Sequence, residues 1–179
     1  RNACIADVLN AADLGTLLFD LLTPEENERD MVTREVRFDI PLLTERLTGV
    51  LDWIGEQEEL RAAALGLFGA STGSAAALGA AAARPEAVRA VVSRGGRPDL
   101  VPAVALMRVR APTLLIVGGF DAPVIDMNRV AASHLEVEHR LEIVPGATHL
   151  FEEPGTLEEV GRLARAWFLQ HLAGAAENA

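Results

Sequence analysis

The chain has 179 residues, half of them apolar, and a formal charge of −10. That is enough apolar chain to bury a core as one domain spanning residues 1–179, and it excludes a disordered segment. An acidic domain repels phosphate backbones, so general nucleic-acid binding is excluded as well.

No internal repeat shows at a fixed period; short apolar runs alternate with helical patterns instead. Residues 3–12 place Ile5, Val8, Leu9 and Ala12 on one face of a predicted helix. After Gly15, the run Thr16-Leu17-Leu18-Phe19 predicts a buried strand ending near Asp20. The stretch 23–38 opens polar and acidic and reads as a loop. Leu43, Leu47, Val50, Leu51 and Ile54 then recur at helical spacing.

Leu65-Gly66-Leu67-Phe68 predicts a second strand and leads into Gly69-Ala70-Ser71-Thr72-Gly73. The Ala-rich stretch 74–84 predicts a helix whose small side chains allow close approach to a sheet. A third strand is centred on Val91-Val92 and stops at Gly95-Gly96, and 100–108 reads as a short helix capped by Asp99. Thr113-Leu114-Leu115-Ile116-Val117 is the clearest strand and runs into Gly118-Gly119-Phe120-Asp121. A helix over 122–135, a fifth strand over 140–144 and the loop Pro145–His149 come next. The last helix is predicted to start at Thr156, with Glu159 completing a capping box.

Five strands separated by helices imply parallel pairing, and their continuous apolar runs imply burial on both faces. The predicted fold is therefore α/β, a three-layer doubly wound, mainly parallel sheet. In such sheets, active groups gather at the carboxyl ends of the strands. Ser71, Asp121 and His149 each come after a predicted strand, in that order.

The segment 69–73 matches G-x-S-x-G, a strand–turn–helix elbow that holds serine in a strained, exposed conformation. Side chains at Gly69 or Gly73 are expected to crowd that turn. The serine also lies at a helix N-terminus, where free N–H groups favour developing negative charge, and Thr72 N–H is one expected oxyanion donor. A bland alternative makes Ser71 an N-cap. Asp121, with Pro123 two residues on, could equally cap its own helix. Of the four histidines, only His149 occupies a loop after a strand and downstream of the other two residues. A serine hydroxyl needs a base to take its proton, histidine titrates near neutrality, and a carboxylate fixes the imidazole tautomer. The expected chemistry is acyl transfer to water without a metal or organic cofactor.

The segments Gly15–Asp20, Gly66–Gly73, Val91–Asp99, Pro112–Asp121 and Pro145–Phe151 resemble the α/β-hydrolase superfamily, and within it the dienelactone-hydrolase-like group. The resemblance spans essentially the whole chain. It implies a small-molecule ester or thioester substrate. Dienelactone hydrolases proper carry cysteine at the elbow, where this chain has Ser71, so general ester chemistry is expected rather than a dienelactone substrate. The family also begins with further strands and an H-G-type loop that supplies the second oxyanion donor, whereas this sequence starts at the helix after that loop. A fragment of a longer protein is therefore expected. Related proteins are sometimes fused to a phosphoribosyltransferase domain.

Arg94 and Arg97, at a strand's carboxyl end, could attract an anionic substrate or simply be solvated. An uncovered sheet edge invites pairing, which admits a homodimer. Cys4 is the single cysteine, which rules out an internal disulfide or a cysteine-cluster metal site and fits a reducing cytoplasm. No apolar run is long enough to span a membrane and no secretory signal is visible, although the chain opens with Arg1 rather than Met. A non-catalytic binding module and an acyltransferase are the competing functional readings.

Overall fold

The computed structural model describes residues 1–173. Four parallel strands, β1 (Leu65–Ala70), β2 (Val88–Arg94), β3 (Thr113–Gly118) and β4 (His139–Val144), lie in the order β1-β2-β3-β4. Seven α-helices surround them: α1 (Asn2–Asn10), α2 (Pro24–Thr33), α3 (Ile40–Glu56), α4 (Thr72–Ala83), α5 (Ala103–Leu106), α6 (Ala122–Ala132) and α7 (Thr156–Leu172). Among the described residues no helix is long and apolar enough to cross a membrane.

The strands face two ways because successive side chains alternate. Val91 packs with Leu43, Leu47 and Leu51 of α3 and with Leu78 and the buried alanines of α4. Ala90, Val92, Leu114 and Ile116 pack on the other face against Ile5 and Leu9 of α1 and Val160, Trp167 and Phe168 of α7. Val117 meets Val124 and Ile125 of α6. The result is three layers with helices on both faces of the sheet. All six residues of β3 are buried, each large aliphatic side chain contributing about 1.5–3 kcal/mol. Trp167 Nε1–H donates to the Pro112 carbonyl at 3.3 Å and pins α7 to the start of β3.

The predicted strand at Thr16–Phe19 does not form. The segment joins no ladder, and Leu17, Leu18 and Phe19 are 56%, 55% and 42% exposed. Leu14 packs on the α1–α7 core while Leu21 and Leu22 pack on the α3–α4 core, so the intervening residues carry the chain from one face of the sheet to the other. Strand-forming side chains without a neighbour to bond leave an exposed segment without regular secondary structure.

The stretch read as a loop contains α2. Thr23 Oγ1 accepts from Glu26 N–H, the Glu26 carboxylate accepts from Thr23 N–H, and Pro24 opens the first turn, a complete capping box. Arg46 of α3 donates to both Glu26 oxygens and to the Leu21 carbonyl, and it lowers the Glu26 pKa to about 2. Asp99 caps no helix: Pro98–Leu100 is a 3-10 turn, and α5 starts at Ala103 after Pro102. The box predicted at Thr156 is absent too. Gly155 is the N-cap, Thr156 Oγ1 donates to the Glu153 carbonyl, and Glu159 pairs with Arg162.

Candidate active site

β1 delivers Ser71, β3 delivers Asp121, and the loop after β4 delivers His149, so parallel pairing puts all three at one end of the sheet. Ser71 has φ 52 and ψ −122. Such values are strained for a residue with a Cβ, and strain of this kind gathers at functional sites. Although Ser71 is the N-cap of α4, its side chain makes no capping hydrogen bond, and its hydroxyl bonds no other described residue. Thr72 N–H lies in the first turn of α4, where no intrahelical acceptor exists.

The neighbouring strand holds the nucleophile turn by its backbone. Ser71 N–H donates to the Arg94 carbonyl, and Arg97 N–H donates to the Ser71 carbonyl, both at 3.2 Å. Of the two elbow glycines, only Gly69 answers to crowding: a Cβ there would meet Gly73 O at 2.5 Å and Ser74 Cα at 2.6 Å. A Cβ on Gly73 would meet nothing within 4 Å, which corrects the expectation that both positions are tight. The second glycine matters here through its carbonyl, which lies directly against Gly69.

Asp121 occupies the N-cap position of α6 without capping it. Its Oδ2 instead lies 2.6 Å from His149 Nδ1, which separates the two sequence readings of this residue. The acid and histidine loops are zipped together by Gly119 N–H to Val144 O and Phe120 N–H to Ala147 O. The histidine loop also crosses directly over Gly118, where a Cβ would sit 2.5 Å from Ala147 O and 2.6 Å from Thr148 O. Beyond the crossing, Glu153 accepts from both the amide and the hydroxyl of Thr148, and these bonds lower its carboxyl pKa. The His149 side chain is 38% exposed and that of Asp121 15%, so the imidazole is reachable while the carboxylate behind it is sheltered. His149 Cε1 lies 3.6 Å from the position a Gly95 Cβ would take, and Gly95 is next in the chain after Arg94, which holds Ser71 N–H. Gly118, Gly95 and Glu153 were not singled out from sequence. Only contacts between distant loops identify them.

The two arginines separate. Arg97 forms a two-pronged ion pair with Asp99, 2.8 Å at each prong, so its charge is already matched within its own loop. Arg94 is 8% exposed, its guanidinium makes no hydrogen bond to any described residue, and its Nη1 is fully buried and unpartnered. Burial lowers its pKa, and the charge of nearby Arg1 adds to the effect.

No protein-family model matches the chain. It is 57% identical to a dienelactone hydrolase of Anabaena variabilis of known crystal structure, with a TM-score of 0.91 over 96% of this chain and 79% of that one. It is 55% identical over 174 residues to Mycobacterium tuberculosis proteins that carry the name of a phosphoribosyl transferase. The chain spans 38% of the length of these curated relatives. A monoacylglycerol lipase of Paleococcus ferrophilus, 21% identical, shares the fold with a TM-score of 0.60 over 72% of this chain and 76% of that one.

Proposed function

The chain belongs to the dienelactone hydrolase family, and from that premise we propose that it is the catalytic part of a serine hydrolase that cleaves a carboxylic ester or thioester. Hydrolases of this fold support ester hydrolysis in general; the serine mechanism is our reading of the site. The observation that carries it is the 2.6 Å hydrogen bond between His149 and Asp121 at the end of the sheet where β1 leads into a strained serine.

In this mechanism the Ser71 hydroxyl attacks the acyl carbon while His149 Nε2 takes its proton. Asp121 holds the proton on Nδ1 and stabilises the imidazolium. Thr72 N–H donates to the oxyanion of the tetrahedral intermediate, reinforced by the N-terminal end of α4. Collapse expels the alcohol or thiol, which leaves with the proton from His149, and water repeats the sequence on the acyl-enzyme. The hydroxyl and imidazole make no hydrogen bond in this state, a looseness common before substrate binds.

Arg94 is the proposed contact for an anionic group on the substrate, because a buried guanidinium without an acceptor is costly until one arrives. The phosphoribosyl-transferase name attaches to proteins more than twice this length, and we assign that chemistry to the part of them lying outside this chain.

Labelling with a fluorophosphonate probe tests the reading. Ser71 is expected to be modified, with the label lost in Ser71→Ala and His149→Ala. An unlabelled, folded protein would point to a binding module, and product analysis with a competing alcohol or amine separates hydrolysis from acyl transfer.

A further inference from the structure

We propose that Asn128 is a positioning residue that sets the strained conformation of Ser71 through the loop Arg94–Arg97. The inference rests on Ser71 being the nucleophile. Asn128 lies in α6, two turns after Asp121, and is completely buried. Its Nδ2 donates to Val124 O, one turn back at 2.8 Å, and to Gly96 O across the layer at 3.0 Å. Those two carbonyls fix the orientation of the amide, since turning it over would set its oxygen against both. The opposite end, Oδ1, is buried without a partner. A leucine would fill the same space and remove the unmatched Oδ1, but it would take the donor away from the buried Gly96 carbonyl, so the bond to Gly96 offsets the cost of the amide.

Gly96 is the pivot of the loop. A Cβ there would meet Ser93 Oγ at 1.9 Å and Ser74 Oγ at 2.7 Å, so its backbone is pressed between the end of β2 and the first turn of α4. Ser74 Oγ itself donates to Gly69 O, on the other side of the elbow. The residues flanking the pivot do the holding: Arg94 O takes Ser71 N–H, and Arg97 N–H donates to Ser71 O. Gly95, at φ 49, donates to Ile116 O at 2.7 Å and lies beside the His149 ring. One loop therefore grips both peptide groups of the serine and backs the imidazole. Asn128 ties that loop to the helix that Asp121 begins.

Releasing Gly96 should let the turn relax, which changes where the hydroxyl points while leaving the substrate's binding surface in place. Small misplacements of a reacting group cost up to about 10²-fold. The test uses Asn128→Ala and Asn128→Ser, the serine keeping a bond to Val124 O but too short to reach Gly96. In both, amide exchange at Ser71 and Arg97 is expected to quicken about tenfold or more while Val92 and Leu115 stay protected. The maximal rate of fluorophosphonate labelling falls about 10- to 100-fold with little change in the half-saturating probe concentration.

Unchanged exchange at Ser71 and Arg97 in a folded variant overturns the proposal, as does an unchanged maximal labelling rate. Loss of protection across all strands together also overturns it, since Asn128 would then hold the core rather than the turn. If the unaltered protein does not label, the hydrolase reading fails on its own, and the exchange data still decide whether Asn128 positions Ser71.

Discussion

Two tetrapeptides in this chain are nearly the same and fold differently. Thr16-Leu17-Leu18-Phe19 is exposed and unladdered, whereas Thr113-Leu114-Leu115-Ile116 is completely enclosed in β3. Each run leads to a Phe-Asp pair: Phe19-Asp20 in the first, Phe120-Asp121 in the second. Asp20 is exposed, whereas Asp121 is sheltered and bonded to His149. Composition is shared, so it cannot be the cause. β3 has β2 on one side and β4 on the other, while the first run has no strand beside it among the described residues. Neighbours make the strand, and a strand held on both sides fixes the residue at its end.

Exchanging the two aspartates for amides breaks the comparison most sharply. Asp121→Asn is expected to lower the labelling rate of Ser71 by about 10⁴-fold with the fold intact, because the amide favours the wrong imidazole tautomer. Asp20→Asn should leave labelling unchanged. Among leucines, Leu115→Ala should cost about 2–5 kcal/mol in denaturant unfolding, against less than about 0.5 kcal/mol for Leu17→Ala.

Gly118→Ala probes how the end of β3 meets the histidine loop. The added methyl must displace the Ala147 and Thr148 carbonyls, so a loss of about 1–3 kcal/mol in stability and about 10²-fold in labelling is expected. The smallest effect belongs to Glu153→Gln, with a fall in labelling of less than about tenfold. Its pH dependence has a definite sign. The Glu153 carboxyl is held below its ordinary pKa by Thr148, so its tether is fully present above the usual carboxylate range and is lost as pH falls through the lowered value. Exchange of the Thr148 amide should therefore differ between the two proteins near neutrality and converge in acid.

Local signals were the ones legible in the sequence. β3, the alternation of helices with strands and the order Ser71, Asp121, His149 could be read, because buried apolar runs and a glycine-flanked serine mark themselves within a few residues. The helix α2 was legible in principle: Thr23-Pro24-Glu25-Glu26 is a capping box opened by proline, masked by the polar, acidic character of residues 25–30. Thr156 and Glu159 show the reverse, the right spacing with both side chains engaged elsewhere. Arg97 and Asp99 could not be told from a free arginine and a cap without coordinates. Asn128 was invisible, because its partner Gly96 lies 32 residues away and no local pattern marks a side chain that bonds a distant carbonyl.

The most direct measurement is a crystal structure of the protein after reaction with a phosphonate ester. Convergence of the three side chains predicts phosphorus bonded to Ser71 Oγ, the phosphonyl oxygen within hydrogen-bond distance of Thr72 N–H, and His149 Nε2 turned toward Ser71 with Nδ1 still on Asp121. Phosphorus attached to another side chain, or an imidazole left pointing away from the modified serine, would contradict it.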